Sequence, residues 1–89
     1  MIEFMSEEKL IESSREIVKR YLKYQTKGVR VKTIAEAIRN EHPRLYIDNP
    51  MMMGIIKEIE GDEIEGFVAV HSFGKKKSPV KQLRYRSKE

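Results

Sequence analysis

Residues 67–86 read FVAVHSFGKKKSPVKQLRYR, and the rest of the chain takes its meaning from this stretch. Phe67–Phe73 is rich in β-branched and aromatic residues and follows a period of two, which predicts a strand. Gly74–Val80 is polar and carries glycine and proline, so the chain turns there. Gln82–Arg86 alternates again and returns as a second strand. The alternation sets Val68 and Val70 beside Leu83 and Tyr85, packed towards the rest of the molecule, with Arg84 and Arg86 facing away beside His71 and Phe73. Lys75, Lys76, Lys77 and Lys81 fall at or next to the tip.

Upstream of the hairpin the period becomes helical. Met52, Ile55, Ile56 and Ile59 lie within roughly 100° of one another on a 3.6-residue wheel. That predicts a helix over about 50–60, with Pro50, Met53, Gly54 and Lys57 on its outward side. Asp48 and Asn49 are good N-cap residues, Pro50 suits the first helical position, and Gly61–Asp62 closes the element. Pro43 stops any earlier helix, leaving residues 44–48 as a connection. Thr33 and Glu36 have the spacing of a capping box, which predicts a short helix from Thr33 to about Asn40 containing Ile34, Ala35, Ala37 and Ile38. Val29–Lys32 alternates apolar and basic residues and predicts a short edge strand. Leu10, Ile11, Ser14, Ile17, Val18, Tyr21 and Leu22 recur at helical steps, predicting a first helix over about 7–25. Ser6 is its N-cap, Glu7 and Glu8 complement the helix dipole, and Gly28 is its stop.

Three helices alone bury few apolar residues, so the hairpin must cover their open side. The expected fold is α+β in one domain over 1–89, with 1–5 and 87–89 frayed, the hairpin at about 66–86, and 29–32 as a candidate third strand. This order of elements resembles the winged helix-turn-helix superfamily over Ser6 to Arg86. The carrying segments are VKTIAEAI at 31–38, Asn49–Glu60 and Phe67–Arg86, and the resemblance is one of architecture. It implies nucleic-acid binding, with helix 3 in the DNA major groove and the hairpin, as the wing, against the backbone or minor groove.

Composition narrows the alternatives. A chain of 89 residues suits one small domain, and 39% hydrophobic residues in regular patterns exclude a disordered chain. With no cysteine there is no disulfide framework, thiolate zinc site or cysteine nucleophile. The sequence shows no long apolar run, and Glu3, Glu7 and Glu8 make the N-terminus acidic. The expectation is an intracellular protein with no membrane partner, cytoplasmic or, in a eukaryote, nuclear. Charge is segregated: net −3 over residues 1–12, +6 over 13–44, −5 over 45–70 and +6 over 71–89, summing to the formal +4. Two basic stretches separated by an acidic one point to a polyanion partner.

The leading expectation is therefore a binding protein for double-stranded DNA, a transcriptional regulator or accessory factor. Lys75, Lys76, Lys77, Lys81, Arg84 and Arg86 supply the phosphate contacts, and neutralising about five phosphates gives a log–log salt slope of roughly −4 to −5. Helix 3 is poorly equipped for base readout. It offers Asn49, Met53 and Lys57, and Glu58, Glu60, Asp62 and Glu63 follow it. Its methionines equally suit a protein contact, which makes a protein–protein interaction module the alternative; structured RNA is a further one. In the other basic stretch, Arg15, Lys19 and Lys23 form a stripe on helix 1. His42 reads as an exposed turn residue and His71 as a strand residue. No catalytic constellation, metal-ligand spacing or cofactor motif is present, so neither enzyme activity nor a cofactor is expected. Ile2 and Phe4 have no evident place in so small a core, which makes helix 1 the expected interface of a homodimer.

Overall fold

The computed structural model describes residues 6–86, with the backbone alone over 71–73. The first helix, α1, runs Glu7–Tyr24; the Ser6 hydroxyl accepts from the Lys9 amide at 3.3 Å, and Glu7 and Glu8 occupy the first turn. A loop through Gly28 leads to strand β1, Val29–Arg30, and directly into α2, Val31–Glu41. After residues 42–48 comes α3, Asn49–Ile59, whose N-cap Asp48 accepts from the Met51 amide at 2.9 Å with Pro50 in the first turn. Strands β2, Ile64–Phe73, and β3, Lys76–Tyr85, complete a three-stranded antiparallel sheet in the order β1-β3-β2. The molecule is thus an α+β domain of three helices and one sheet. No helix among the described residues is long and apolar enough to cross a membrane.

The core lies between the helices and the base of the sheet. Leu10, Ile17, Val18 and Leu22 of α1 meet Ile34 and Ile38 of α2, and Met52, Ile55, Ile56 and Ile59 of α3. Val29, Ile64 and Leu83 close it from the three strands. Ser14 is buried within α1 because its hydroxyl donates to the Leu10 carbonyl at 2.7 Å. The buried stripe of α1 contributes to this core, and Tyr24 of the same helix is exposed. Ile2 and Phe4 lie outside the described residues.

Several local expectations are corrected. Helix α2 starts two residues before Thr33, with Arg30 as its N-cap and no side-chain capping bond. Pairing with β3 holds only Val29 and Arg30 extended, and an early helical start packs Val31 against the core. Within the connection, Ile47 is a core residue, and Arg39 secures the segment by donating to the Ile47 carbonyl at 3.1–3.2 Å. The hairpin is longer than expected and its turn shorter, closing at Gly74, whose φ is +63°. Val68 and Val70 share a face with Leu83, yet they are 63% and 64% exposed, and Tyr85 is 45% exposed. Because β2 begins at Ile64, that residue fills the space beside Leu83, and the two valines lie further out than the helices reach. Arg84 stands opposite Glu65, while positions 71 and 73 stand opposite Ser78 and Lys76.

Candidate nucleic-acid interface

Each basic side chain is best judged by what already neutralises it. Lys81 Nζ lies 2.9 Å from Glu60 Oε1 and forms an ion pair with it. Glu65 takes two arginines: Arg84 Nε at 2.7 Å and Arg86 Nη1 at 3.7 Å. Arg86 Nε also donates to the Gly61 carbonyl at 3.1 Å, which straps the residue following β3 to the turn before β2. Glu60 at the end of α3 and Glu65 of β2 therefore occupy the cations at the base of the hairpin. Exposed pairs of this kind contribute only about 0–1 kcal/mol each to stability. Their consequence here is electrostatic, since a guanidinium facing a carboxylate has little charge to offer a phosphate.

The tip differs. Lys75, Lys76 and Lys77 are exposed, and no ion pair among the described residues involves them. Three of the six expected backbone contacts are thus free and three are internally engaged. Such engagement joins residues about twenty apart in sequence, so no local pattern revealed it.

On the other basic stretch, Lys19 pairs with Glu63 at 3.2 Å and Arg20 with Glu41 at 2.6 Å. Arg15 donates to the Glu58 carbonyl at 3.2 Å. The stripe on α1 is in large part a fastening between elements. Arg30 is another matter: β1 pairs Arg30 with Gln82, so both side chains project on the sheet face opposite the core. On that face Phe67 stands opposite Gln82, and the Arg84 guanidinium lies 4.2 Å from the centre of its ring. In the sequence Arg30 is one cation among many in the basic stretch 13–44, and only the sheet brings it beside the hairpin.

On α3, Met53 is 72% exposed, and Asn49 and Lys57 also face solvent. Asn49 Oδ1 already accepts from Arg39 Nη2 at 3.2 Å. Beside this face runs a 610 Å³ groove between α1 and α3, floored by Leu10, Pro50, Met51, Gly54 and Ile55 and rimmed by Glu7 and Glu58. Gly54 faces open space, where a Cβ would meet nothing within 4 Å. In the chain, the acidic turn comes between α3 and the tip.

His42 is not an exposed turn residue. It is half-buried, with Nε2 3.0 Å from Ser13 Oγ, and it joins the end of α2 to α1. Ser13→Ala is expected to cost about 1 kcal/mol, measured by urea unfolding, because it leaves the ring nitrogen without its partner.

Comparison with protein-family models, curated proteins and solved structures yields no match.

Proposed function

We propose that this chain is a single winged helix-turn-helix domain that binds duplex DNA, as a transcriptional regulator or accessory factor. Its hairpin serves as the wing. Lys75, Lys76 and Lys77 grip the phosphate backbone, with Arg30 extending the footprint, and α3 adds limited base contacts through Met53, Lys57 and Asn49. The observation that carries this reading is the contrast along the hairpin: the cations at its base face carboxylates, and the three at its tip face solvent. Free ammonium groups on a projecting ribbon release counterions when they meet phosphates, the main source of non-specific affinity.

The test is titration of a labelled duplex at two salt concentrations, with structured RNA as competitor. A log–log slope near −3 is expected from three tip lysines at about 0.9 per contact. Absence of binding at low salt, or displacement by RNA at much lower concentration than by DNA, rejects the DNA reading. Glu65→Gln is expected to strengthen binding and steepen the slope by up to about 2, because it releases Arg84 and Arg86. A second reading, a protein-interaction module, is favoured by the apolar groove beside α3 and by the exposure of Met51 and Met53.

A further inference from the structure

Strand β2 is one of the two outer strands of the sheet, and beyond its first residue, the buried Ile64, the helices pack chiefly on β1 and β3. Its ten residues pair one-for-one with β3 without a bulge. It contains no proline, and Gly66, Phe67, Val68, Ala69 and Val70 form an uncharged run in which both valines are mostly exposed. A long, regular, apolar edge is a template for another strand. The opposite edge of the sheet is guarded: β1 has two residues, and beyond it β3 carries Pro79, Lys76, Lys77 and Lys81.

Charge selects the partner. At the base of β2 stand Glu60, Asp62, Glu63 and Glu65, and past its far end stand Lys75, Lys76 and Lys77. Asp62 and Glu63 are exposed, and no ion pair among the described residues involves Asp62. We propose that β2 pairs antiparallel with β2 of a second copy about a two-fold axis near Val68, so that the lysine tip of each copy lies beside the acidic turn of the other. An axis at Val68 sets Lys75 level with Gly61 and Gly74 level with Asp62. Neighbouring strands lie about 4.8 Å apart, well within reach of a lysine side chain. Parallel pairing would oppose tip to tip and acid to acid. The central contact is uncharged on both sides, Val68 and Val70 of the two copies form one stripe, and the isologous arrangement closes at two copies. This pairing does not rest on DNA binding and competes with it for the same ammonium groups.

Sedimentation equilibrium without nucleic acid tests the proposal. A monomer–dimer equilibrium is expected at micromolar concentrations, weakened about tenfold or more when salt rises from about 0.05 to 0.5 M. Val68→Lys with Val70→Lys is expected to weaken it by at least about tenfold while the circular dichroism spectrum is retained, since both side chains already face solvent. The Asp62→Lys, Glu63→Lys chain and the Lys75→Glu, Lys76→Glu chain should each be monomeric alone and associate one-to-one when mixed, a rescue that misfolding cannot imitate. A monomer at several hundred micromolar in low salt overturns the proposal. So does a dimer indifferent to lysines at 68 and 70, or a mixture of the charge-reversed chains that stays monomeric.

Discussion

Under the proposed DNA-binding function, replacing Lys75, Lys76 and Lys77 together by alanine is expected to lower affinity for duplex DNA by on the order of 10² to 10³-fold at about 0.1 M salt. Each lysine that neutralises a phosphate adds about 0.9 to the log–log salt slope, so losing three removes about 2.7. The electrostatic contribution vanishes near 1 M salt, so a tenfold lower concentration restores about 2.7 decades of difference between parent and variant. Binding curves at several salt concentrations should therefore converge at high salt and diverge as it falls. The loss should be alike for unrelated duplex sequences, because phosphates carry no base identity. Lys81→Ala is the internal control: its ammonium already faces Glu60 at 2.9 Å, and its removal should flatten the slope by clearly less than a tip lysine does. A triple variant that binds as the parent does removes the tip from the mechanism. The variant's folding is not at issue, because the three side chains are exposed and contribute nothing to the core.

The largest stability effect is expected at Gly28. Its φ is +136°, a backbone conformation that a β-branched residue rarely adopts. A Cβ there would also stand 2.8 Å from Phe67 Cζ and 3.0 Å from Gln82 Oε1. Gly28→Val combines backbone strain of about 1–3 kcal/mol with overpacking of similar size, for a total of about 2–6 kcal/mol. In a domain of this length each kcal/mol moves the melting midpoint by about 4–8 °C, so the variant should melt at least about 8 °C lower. Phe67→Ala in the same chain relieves the collision and leaves the strain. The double variant should therefore be more stable than the sum of the two single losses predicts, with a coupling of about 1 kcal/mol or more. Strict additivity would mean that Phe67 does not press on the loop. The contact bears on the candidate interface as well, because Phe67 carries the Arg84 guanidinium on its ring. A displaced ring would loosen the base from which the hairpin projects.

What was legible in the chain were the features decided within about one turn or one strand repeat. Met52, Ile55, Ile56 and Ile59 announce the buried face of α3 because a helix brings those positions together by its own geometry. Ser6 and Asp48 are readable as caps because each serves an amide three residues away. Gly74 marks the turn that holds Lys75, and Lys76 and Lys77 open β3 directly after it. The order of elements, and with it the α+β class, could be written down on this basis alone.

Tertiary structure decided everything that joins distant residues. Two residues of β1 become a strand only because Gln82 and Leu83 come beside them. Thr33 and Glu36 have a valid capping pattern, and packing of Val31 against the core overrides it. Val68 and Val70 look like core residues by alternation, and the reach of the helices leaves them in solvent. Most consequential is the sorting of the cations: Lys81, Arg84 and Arg86 read no differently from Lys75, Lys76 and Lys77 as a string of letters. Only the fold, which brings Glu60 at the end of α3 and Glu65 of β2 against these cations, neutralises the first three and spares the others. Local conformation is governed by near neighbours that the sequence lists side by side, whereas burial and charge compensation depend on which distant groups the fold carries into contact.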